Sequence, residues 1–400
     1  MKTTMCMTRR VKGVFLFLLL LIASNTMAFA GKPPVVTTRP IDYNIQYFTA
    51  PNGGAVSSFE DMNSSGAVVG NYFTDSIHVS GYLYDPRVSV TNAIDLRSLV
   101  TMPTGSEDWY ITYPRSINNF GAIVTTVWHA TEGERAMLLD PNGPKDASGK
   151  WIAAWLPNLP GSTSTTTMPI KINDHGDILL CASFYTTNAS EHVPYVFNPG
   201  IYVPEDAFDV VELGFPIYDT GTIDMSFPAP GQPLRFAGVS AGRTASFRYT
   251  LEVTLEGTLE TFPMQDVDVF SINGYGTFCG RQAISTIGKG GKLTWSSQTF
   301  RFNPSTDTAV TSLGTSGKYA LDINDSNDVA TNGKFLIHSE KGTLDLNTLV
   351  VGSAADVDYF KTHNGFESLL TQRTDNGFPV MALKVGGLGC ILVPSVPPQP

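Results

Sequence analysis

The stretch Ile172-Asn173-Asp174-His175-Gly176-Asp177-Ile178-Leu179-Leu180 is one of five copies of a single pattern. Each copy has an apolar residue, an Asn, a turn that ends in Gly or Asn, and an apolar run. The turn positions are Asn63 and Gly66, Asn118 and Gly121, Asn173 and Gly176, Asn273 and Gly276, and Asn324 and Asn327. Gly and Asn tolerate the positive φ angles of tight hairpin turns, and an Asn side chain can hydrogen-bond the turn backbone. We therefore assign these residues a structural role.

The spacing of the repeated Asn residues gives the period of the chain. Asn63 and Asn118 are separated by 55 residues, as are Asn118 and Asn173. About twice that interval separates Asn173 from Asn273, which leaves room for a degenerate copy at residues 223–238. A further degenerate copy is expected at residues 374–383. The chain therefore contains seven copies, five clear and two degenerate.

Each copy also shares an internal plan. After the turn come an apolar strand, a variable polar loop, an aromatic strand that ends near Asp-Pro or Asn-Pro, and a last short strand. Four short strands in about 50 residues are typical of a propeller blade. We predict an all-β fold: a single β-propeller of about seven four-stranded blades over residues 42–395, with six blades as the alternative count. Residues 42–50 are expected to complete the last blade. Two stacked β domains would instead require a break at the fourth copy.

The terminal segments and the net charge of the chain indicate where the protein is located and which partners it can bind. Residues 1–30 combine a basic end, a short apolar run and Ala28-Phe29-Ala30, which is typical of a cleavable secretory signal. We expect an extended leader at 31–41, a Pro-rich tail at 396–400, a secreted or periplasmic location and no transmembrane anchor after cleavage. The net charge of −10 disfavours nucleic acid as a partner. At most one disulfide can form among the widely spaced Cys181, Cys279 and Cys390, and the apolar strand-like runs around Cys181 and Cys279 favour buried thiols there.

The repeat resembles a known family. The apolar-Asn-x-x-Gly element, the aromatic strand and the segment Leu344-Asp345-Leu346-Asn347-Thr348-Leu349-Val350 are similar to the HAF repeats of predicted bacterial extracellular proteins. The terminal Gly389-Cys390-Ile391-Leu392-Val393-Pro394 also resembles the way such chains finish. The His-Ala-Phe run that names the repeat is not intact, and His192-Val193-Pro194-Tyr195 is the nearest version. The resemblance covers about residues 42–395 and implies secretion and a propeller-like β architecture, but no reaction.

Few residues of the sequence point to a reaction. The chain contains no spaced metal motif, nucleophile elbow or phosphate-binding loop, so we predict no cofactor. The oxygen-rich run 322–328 leaves calcium open as an alternative, although the Gly and the distal Glu of an EF-hand loop are missing. Variable loops could converge at one rim and form a ligand face. The candidate residues for that face are His78, His129, His192, Asp108, Glu132, Glu191 and Arg243.

Two classes of function remain open from the sequence. We favour a non-enzymatic, exported binding scaffold for an unknown extracellular ligand, either carbohydrate or protein, because rigid repeats with divergent loops suit recognition. The alternative is a secreted hydrolase or lyase that acts on polysaccharide across one face of the propeller. The enzyme predicts polar and charged side chains from several copies gathered at the axis, whereas the scaffold predicts scattered polarity.

Overall fold

The computed structural model describes residues 40–395 except for 77, 160–166, 185–195, 203–209, 213–216, 218–222, 227, 229–232, 241–244, 252–256, 263, 265, 288–290 and 316–318. The predicted signal (1–30), most of the predicted leader (31–41) and the predicted tail (396–400) lie outside the described residues. Glu191, His192 and Arg243 also lie outside them. Nearly all regular structure in the described part is β-strand, so the fold is all-β, as predicted.

Seven sheets of mainly antiparallel strands follow one another in the described residues, preceded by strand β1 (Asp42–Phe48). The first sheet comprises β2 (Val56–Met62), β3 (Val68–Phe73), β4 (Val79–Tyr84) and β5 (Ile94–Asp95). The second comprises β7 (Tyr110–Ile117), β8 (Ile123–His129), β9 (Gly133–Leu139) and β11 (Ala154–Trp155). The third comprises β12 (Thr167–Ile172), β13 (Ile178–Phe184), β14 (Val196–Tyr202) and β15 (Val210–Glu212). Between the first two sheets lie α1 (Leu96–Leu99) and β6 (Val100–Thr101), and β6 pairs in parallel with β10 (Trp151–Ile152).

The other four sheets continue the same plan. They comprise β16 (Ile223–Met225), β17 (Leu234–Val239), β18 (Ser246–Leu251) and β19 (Gly257–Phe262); β20 (Val267–Ile272), β21 (Phe278–Ile287), β22 (Leu293–Phe302) and β23 (Thr311–Thr315); β24 (Ala320–Ile323), β25 (Val329–Thr331), β26 (Phe335–His338) and β27 (Gly342–Asp345); and β29 (Gly365–Arg373), β30 (Pro379–Val385) and β31 (Leu388–Ser395). A 3-10 turn (Leu346–Thr348), β28 (Val350–Val351) and α2 (Ala354–Thr362) lie between β27 and β29, and β28 is an edge strand of the seventh sheet.

The N-terminal strand belongs to the seventh sheet. Strand β1 pairs antiparallel with β31 from Asp42 opposite Ser395 to Phe48 opposite Gly389. It also pairs in parallel with β28, so the seventh sheet has five strands in the order β28, β1, β31, β30, β29. Residues from the two ends of the described chain therefore share one sheet.

The apolar core is divided among the junctions between sheets. Successive side chains of a strand point to opposite faces. In β13, Leu180 packs towards the second sheet, whereas Leu179 and Cys181 pack towards the fourth. Seven such clusters occur, and one of them joins Phe48 and the seventh sheet to the first. Each sheet is thus covered on both faces by its neighbours.

We call the first strand of each sheet its inner strand. These inner strands contact one another in an unbroken cycle: β2 with β7, β7 with β12, β12 with β16, β16 with β20, β20 with β24, β24 with β29, and β29 with β2. The degenerate fourth copy forms a sheet and packs against both neighbours, so the break required by two stacked domains is not found in the described residues.

Two smaller expectations have different outcomes. Cys181 and Cys279 are buried free thiols, as predicted, and Cys390 is also a buried free thiol. The prediction that Asn-Pro ends the aromatic strand is wrong in the third sheet, because Pro199 pairs with Cys181 inside β14 and the strand continues to Tyr202. In an antiparallel ladder only alternate N–H groups point towards a given neighbour, so a proline can be accommodated where its missing donor is not needed.

Candidate functional site

The repeated Asn side chains organise their own turns. Asn118 Oδ1 accepts hydrogen bonds from the N–H groups of Phe120 (3.1 Å) and Ala122 (2.9 Å). The corresponding pair of bonds occurs at Asn63, Asn173, Asn273 and Asn324. The fourth turn residue has the positive φ that favours Gly, as at Gly121 (86°), and Asn327 adopts it at 62°. The turns therefore have the conformation that the sequence pattern predicts.

The same Asn residues also link neighbouring sheets. Asn63 Nδ2 donates to the carbonyl oxygen of Asn118 (3.1 Å), and Asn118 Nδ2 donates to that of Asn173 (3.1 Å). Asn273 and Asn324 donate in the same way to the carbonyls of Asn324 (2.9 Å) and Thr371 (3.1 Å). All these Asn residues are buried, so each side chain satisfies polar backbone groups that water cannot reach.

Carboxylates two residues before the Asn position form a second set of links. Asp61 Oδ2 accepts from the N–H of Ile117 (3.0 Å) in the next sheet. In the same way, Asp224 accepts from Ile272 N–H (3.0 Å), and Asp322 accepts from Leu370 N–H (2.8 Å). The hydroxyls of Ser116 and Ser271 donate to Asp61 (2.5 Å) and Asp322 (2.9 Å). At three of the junctions, the first strand of one sheet is therefore tied to that of the next by a buried carboxylate acceptor.

Lys171 occupies this position in the third copy and neutralises part of the charge. Its Nζ lies 2.9 Å from Asp61 Oδ1 and 4.0 Å from Asp224 Oδ1. We call Asp61, Lys171, Asp224 and Asp322 the central cluster. Burial raises the pKa values of Asp224 and Asp322, although Lys171 opposes the shift. Burial alone would lower the pKa of Lys171, but the surrounding aspartates raise it above its ordinary value.

Two cavities meet at the central cluster. One, of about 100 Å³, lies on the side of the Asn turns and is also lined by Asn119 and Gln372. The other, of about 200 Å³, lies on the opposite side and is also lined by Glu60, Arg115 and Phe270. Sites that enclose a small-molecule ligand are typically about 300–1,000 Å³. Both cavities are smaller than that range.

The larger of these two cavities contains a perturbed carboxyl group. Burial is the main cause that raises the pKa of Glu60, and the nearby Glu367 carboxylate adds to it. Arg115 Nη1 lies 3.6 Å from Glu60 Oε2, and the Ser58 hydroxyl donates to Glu60 Oε1 at 2.7 Å. A carboxyl group held towards its neutral form in a cleft is able to donate a proton.

The structure brings together only part of the predicted ligand face. His129 Nε2 lies 2.9 Å from Asp108 Oδ2, and the N–H of Glu132 donates to His129 Nδ1 at 3.2 Å. The His129 ring also stacks on Trp109, with ring centroids 5.1 Å apart. His78 instead bonds its near neighbour Asp75 at 2.7 Å, and both side chains are exposed. The three other candidates lie outside the described residues.

The run 322–328 uses its carboxylates for protein contacts. Asp322 accepts from Leu370 N–H, and Asp328 accepts from the guanidinium of Arg373 at 2.8 Å through both of its oxygens. Within the described residues, no group of three or more His, Cys, Asp or Glu is arranged to hold a metal ion. In that same part of the chain, no helix combines the length and apolar character needed to cross a bilayer.

Comparisons with known proteins give distant structural similarities. No family model and no curated relative matches the sequence. The polysaccharide lyase Uly1 matches with a TM-score of 0.46 and 9% identity, over 87% of this chain and 98% of that one. The β-propeller domain of the Trilobed protease from Pyrococcus furiosus matches with 0.45 and 8%, over 84% and 95%. A Trypanosoma rangeli sialidase matches with 0.39 and 10%, over 91% and 58%. The TM-scores of all three matches are below 0.5.

Proposed function

We propose that the seven sheets are the blades of a single β-propeller and that β1 completes the last blade. The proposal is supported by the cycle of contacts among the inner strands and by the apolar cluster at each junction, including the one between the seventh and first sheets. Closing the ring would leave no inner strand without a neighbour on either side. It also protects sheet edges that would otherwise pair with other chains.

We propose further that this propeller is an exported, non-enzymatic scaffold that binds an extracellular ligand. The observation that carries the proposal is that Asp61, Asp224 and Asp322 each accept a backbone N–H from the next sheet. A catalytic acid or base must exchange its proton with a substrate, whereas these carboxylates hold the inner strands together. The small cavities beside them agree with a structural role.

A second candidate function is catalysis on polysaccharide. Glu60 favours it, because this residue combines a raised pKa with a nearby arginine at the larger of the two central cavities. The resulting site would place a general acid beside a cation able to bind a uronate carboxylate. Its small volume is the argument against it, since only the end of a chain or a protruding group could enter.

One experiment separates the two functions. The purified protein and its Glu60→Gln variant are incubated with neutral and with uronate-containing polysaccharides. Reducing ends and the ultraviolet absorbance of unsaturated uronates report turnover, and retardation in polysaccharide-containing native gels reports binding. The scaffold predicts no turnover and equal retardation of both proteins. Turnover by the wild type that is lost in the variant would establish the enzyme instead.

A further inference from the structure

Strands β21 and β22 extend beyond the rest of the fifth sheet. They pair with each other over ten positions, from Phe278 opposite Phe302 to Ile287 opposite Leu293. Strand β20 pairs only with residues 278–282, and β23 pairs only with residues 298–301. Residues 284–287 and 293–296, which we call the arm, therefore pair only with each other. At about 3.3 Å per residue, the arm extends roughly 13 Å beyond the sheet.

The register gives the arm two unlike faces. Cross-strand partners share a face, and successive residues alternate. One face presents Ile287, Leu293 and Trp295, with exposed fractions of 77%, 50% and 63%. On the other face, the hydroxyls of Thr286 and Thr294 hydrogen-bond to each other at 2.8 Å. Three large apolar side chains are therefore held side by side in solvent.

The charge of this segment differs from that of the chain. The chain carries a net charge of −10, but residues 282–298 contain no Asp or Glu. The same stretch contains Lys289 and Lys292, and Lys292 directly precedes Leu293 of the arm. Exposed apolar and aromatic side chains beside lysines are the chemistry by which amphipathic segments bind the interface of a bilayer with anionic headgroups.

We propose that the arm inserts its Ile287, Leu293 and Trp295 face into the surface of an anionic lipid bilayer. A carbohydrate is a poorer match, because polar groups usually surround a ring that stacks on sugar, whereas Leu293 and Ile287 flank Trp295. A second copy of the chain is also a poorer match, since three side chains bury far less than the roughly 1,200 Å² of a stable interface. The proposal does not depend on the scaffold function.

Vesicle sedimentation tests the proposal with the purified protein. The probes are phosphatidylcholine vesicles with and without phosphatidylglycerol. We expect the wild type to sediment with the anionic vesicles and the triple variant Ile287→Ser, Leu293→Ser, Trp295→Ser to lose at least about tenfold in partitioning. The matched control is Thr286→Ser with Thr294→Ser on the other face, which should bind as the wild type does. Circular dichroism and the unfolding midpoint check that all variants fold.

Further measurements establish whether the arm binds lipid and how much its lysine charge contributes to binding. Lys292→Glu should weaken binding to anionic vesicles, and the emission of Trp295, obtained by difference from Trp295→Phe, should shift to shorter wavelength on binding. A wild type that stays in the supernatant, or a triple variant that binds equally well, would overturn the proposal. Equal binding to neutral vesicles would overturn the requirement for anionic lipid. A dimer in gel filtration that the triple variant abolishes, without vesicle binding, would assign the arm to self-association.

Discussion

At the junction between the second and third sheets, Asn118 makes both kinds of hydrogen bond: Oδ1 holds its own turn, and Nδ2 donates to Asn173 in the next sheet. At the junction between the fourth and fifth sheets, Ser226 stands at the corresponding position. Its hydroxyl oxygen accepts from the N–H of Arg235 (3.1 Å), and the Arg235 guanidinium donates to the carbonyl of Gly274 (2.9 Å) in the next sheet.

The difference shows which part of the Asn role depends on its position. Asn118 and Ser226 both provide a side-chain oxygen that accepts a backbone N–H from further along the chain, at Ala122 and at Arg235. The donor to the next sheet has only to reach a carbonyl, and a longer side chain from the following strand can provide it. A repeat can therefore lose its Asn and still keep its junction, provided that a neighbouring residue makes the second bond.

The largest effect is expected at Lys171, which contacts carboxylates of the regular first copy and the degenerate fourth copy. Lys171→Met should lower the free energy of unfolding by about 3–5 kcal/mol at neutral pH, because it leaves buried carboxylates without their cation. Urea denaturation measures this change.

The pH dependence provides the control for the Lys171 variant. Burial raises the pKa values of Asp224 and Asp322 above their unfolded values, so protonation stabilises the folded state and this contribution is lost as pH rises. The loss in the free energy of unfolding caused by Lys171→Met should therefore become smaller as pH falls from neutral towards about 4.5. A cost that is the same at both pH values would contradict the electrostatic explanation.

An intermediate effect is expected when the regular junction is converted into the degenerate one. Asn118→Ser keeps an acceptor but loses the donor to Asn173, so we expect a loss of about 1–2 kcal/mol in the free energy of unfolding. Asn118→Ala loses both and should cost about 2–4 kcal/mol. Chemical denaturation of the two variants separates the bond within the turn from the bond between sheets, and equal costs would show that the bond within the turn contributes nothing.

The smallest effect is expected at the substitute donor. Arg235→Met keeps much of the length of the side chain but removes the bond to Gly274, with an expected loss of about 0.5–1.5 kcal/mol. Arg87→Met is the matched control, because Arg87 forms an exposed ion pair with Asp85 and should cost less than about 0.5 kcal/mol. The thermal unfolding midpoints of the two variants are compared. An Arg235→Met midpoint equal to that of the wild type would mean that the junction between the fourth and fifth sheets holds without a substitute donor.

The turns could be predicted from the sequence, but the links between sheets could not. An Asn followed by Gly three residues later carries its own conformational explanation, and Asn118 and Gly121 adopt that geometry. The bond from Asn118 to Asn173 depends on how one sheet is placed against the next, and nothing local in the sequence specifies that placement. Only the 55-residue spacing between Asn118 and Asn173 indicated that the two positions are related.

The central cluster was missed for a related reason. Asp61, Lys171, Asp224 and Asp322 are far apart in sequence, and each alone is an ordinary charged residue in a strand. A signal was present, since Asp61, Lys171 and Asp322 all stand two residues before a repeated Asn. The predicted ligand face stays a prediction, because Glu191, His192 and Arg243 lie outside the described residues. Of its described members, Asp108, His129 and Glu132 lie together, whereas His78 bonds Asp75 instead.

The pairing of β1 with β31 has a consequence for the order of events during synthesis. Asp42 is made long before its partner Ser395, which lies 353 residues later in the sequence. The first strand must therefore wait, without its native partner, until residues 388–395 have been made. Six sheets can form from strands that are consecutive in sequence, but the seventh needs strands from both ends of the described chain, so its pairing is the least local step of folding.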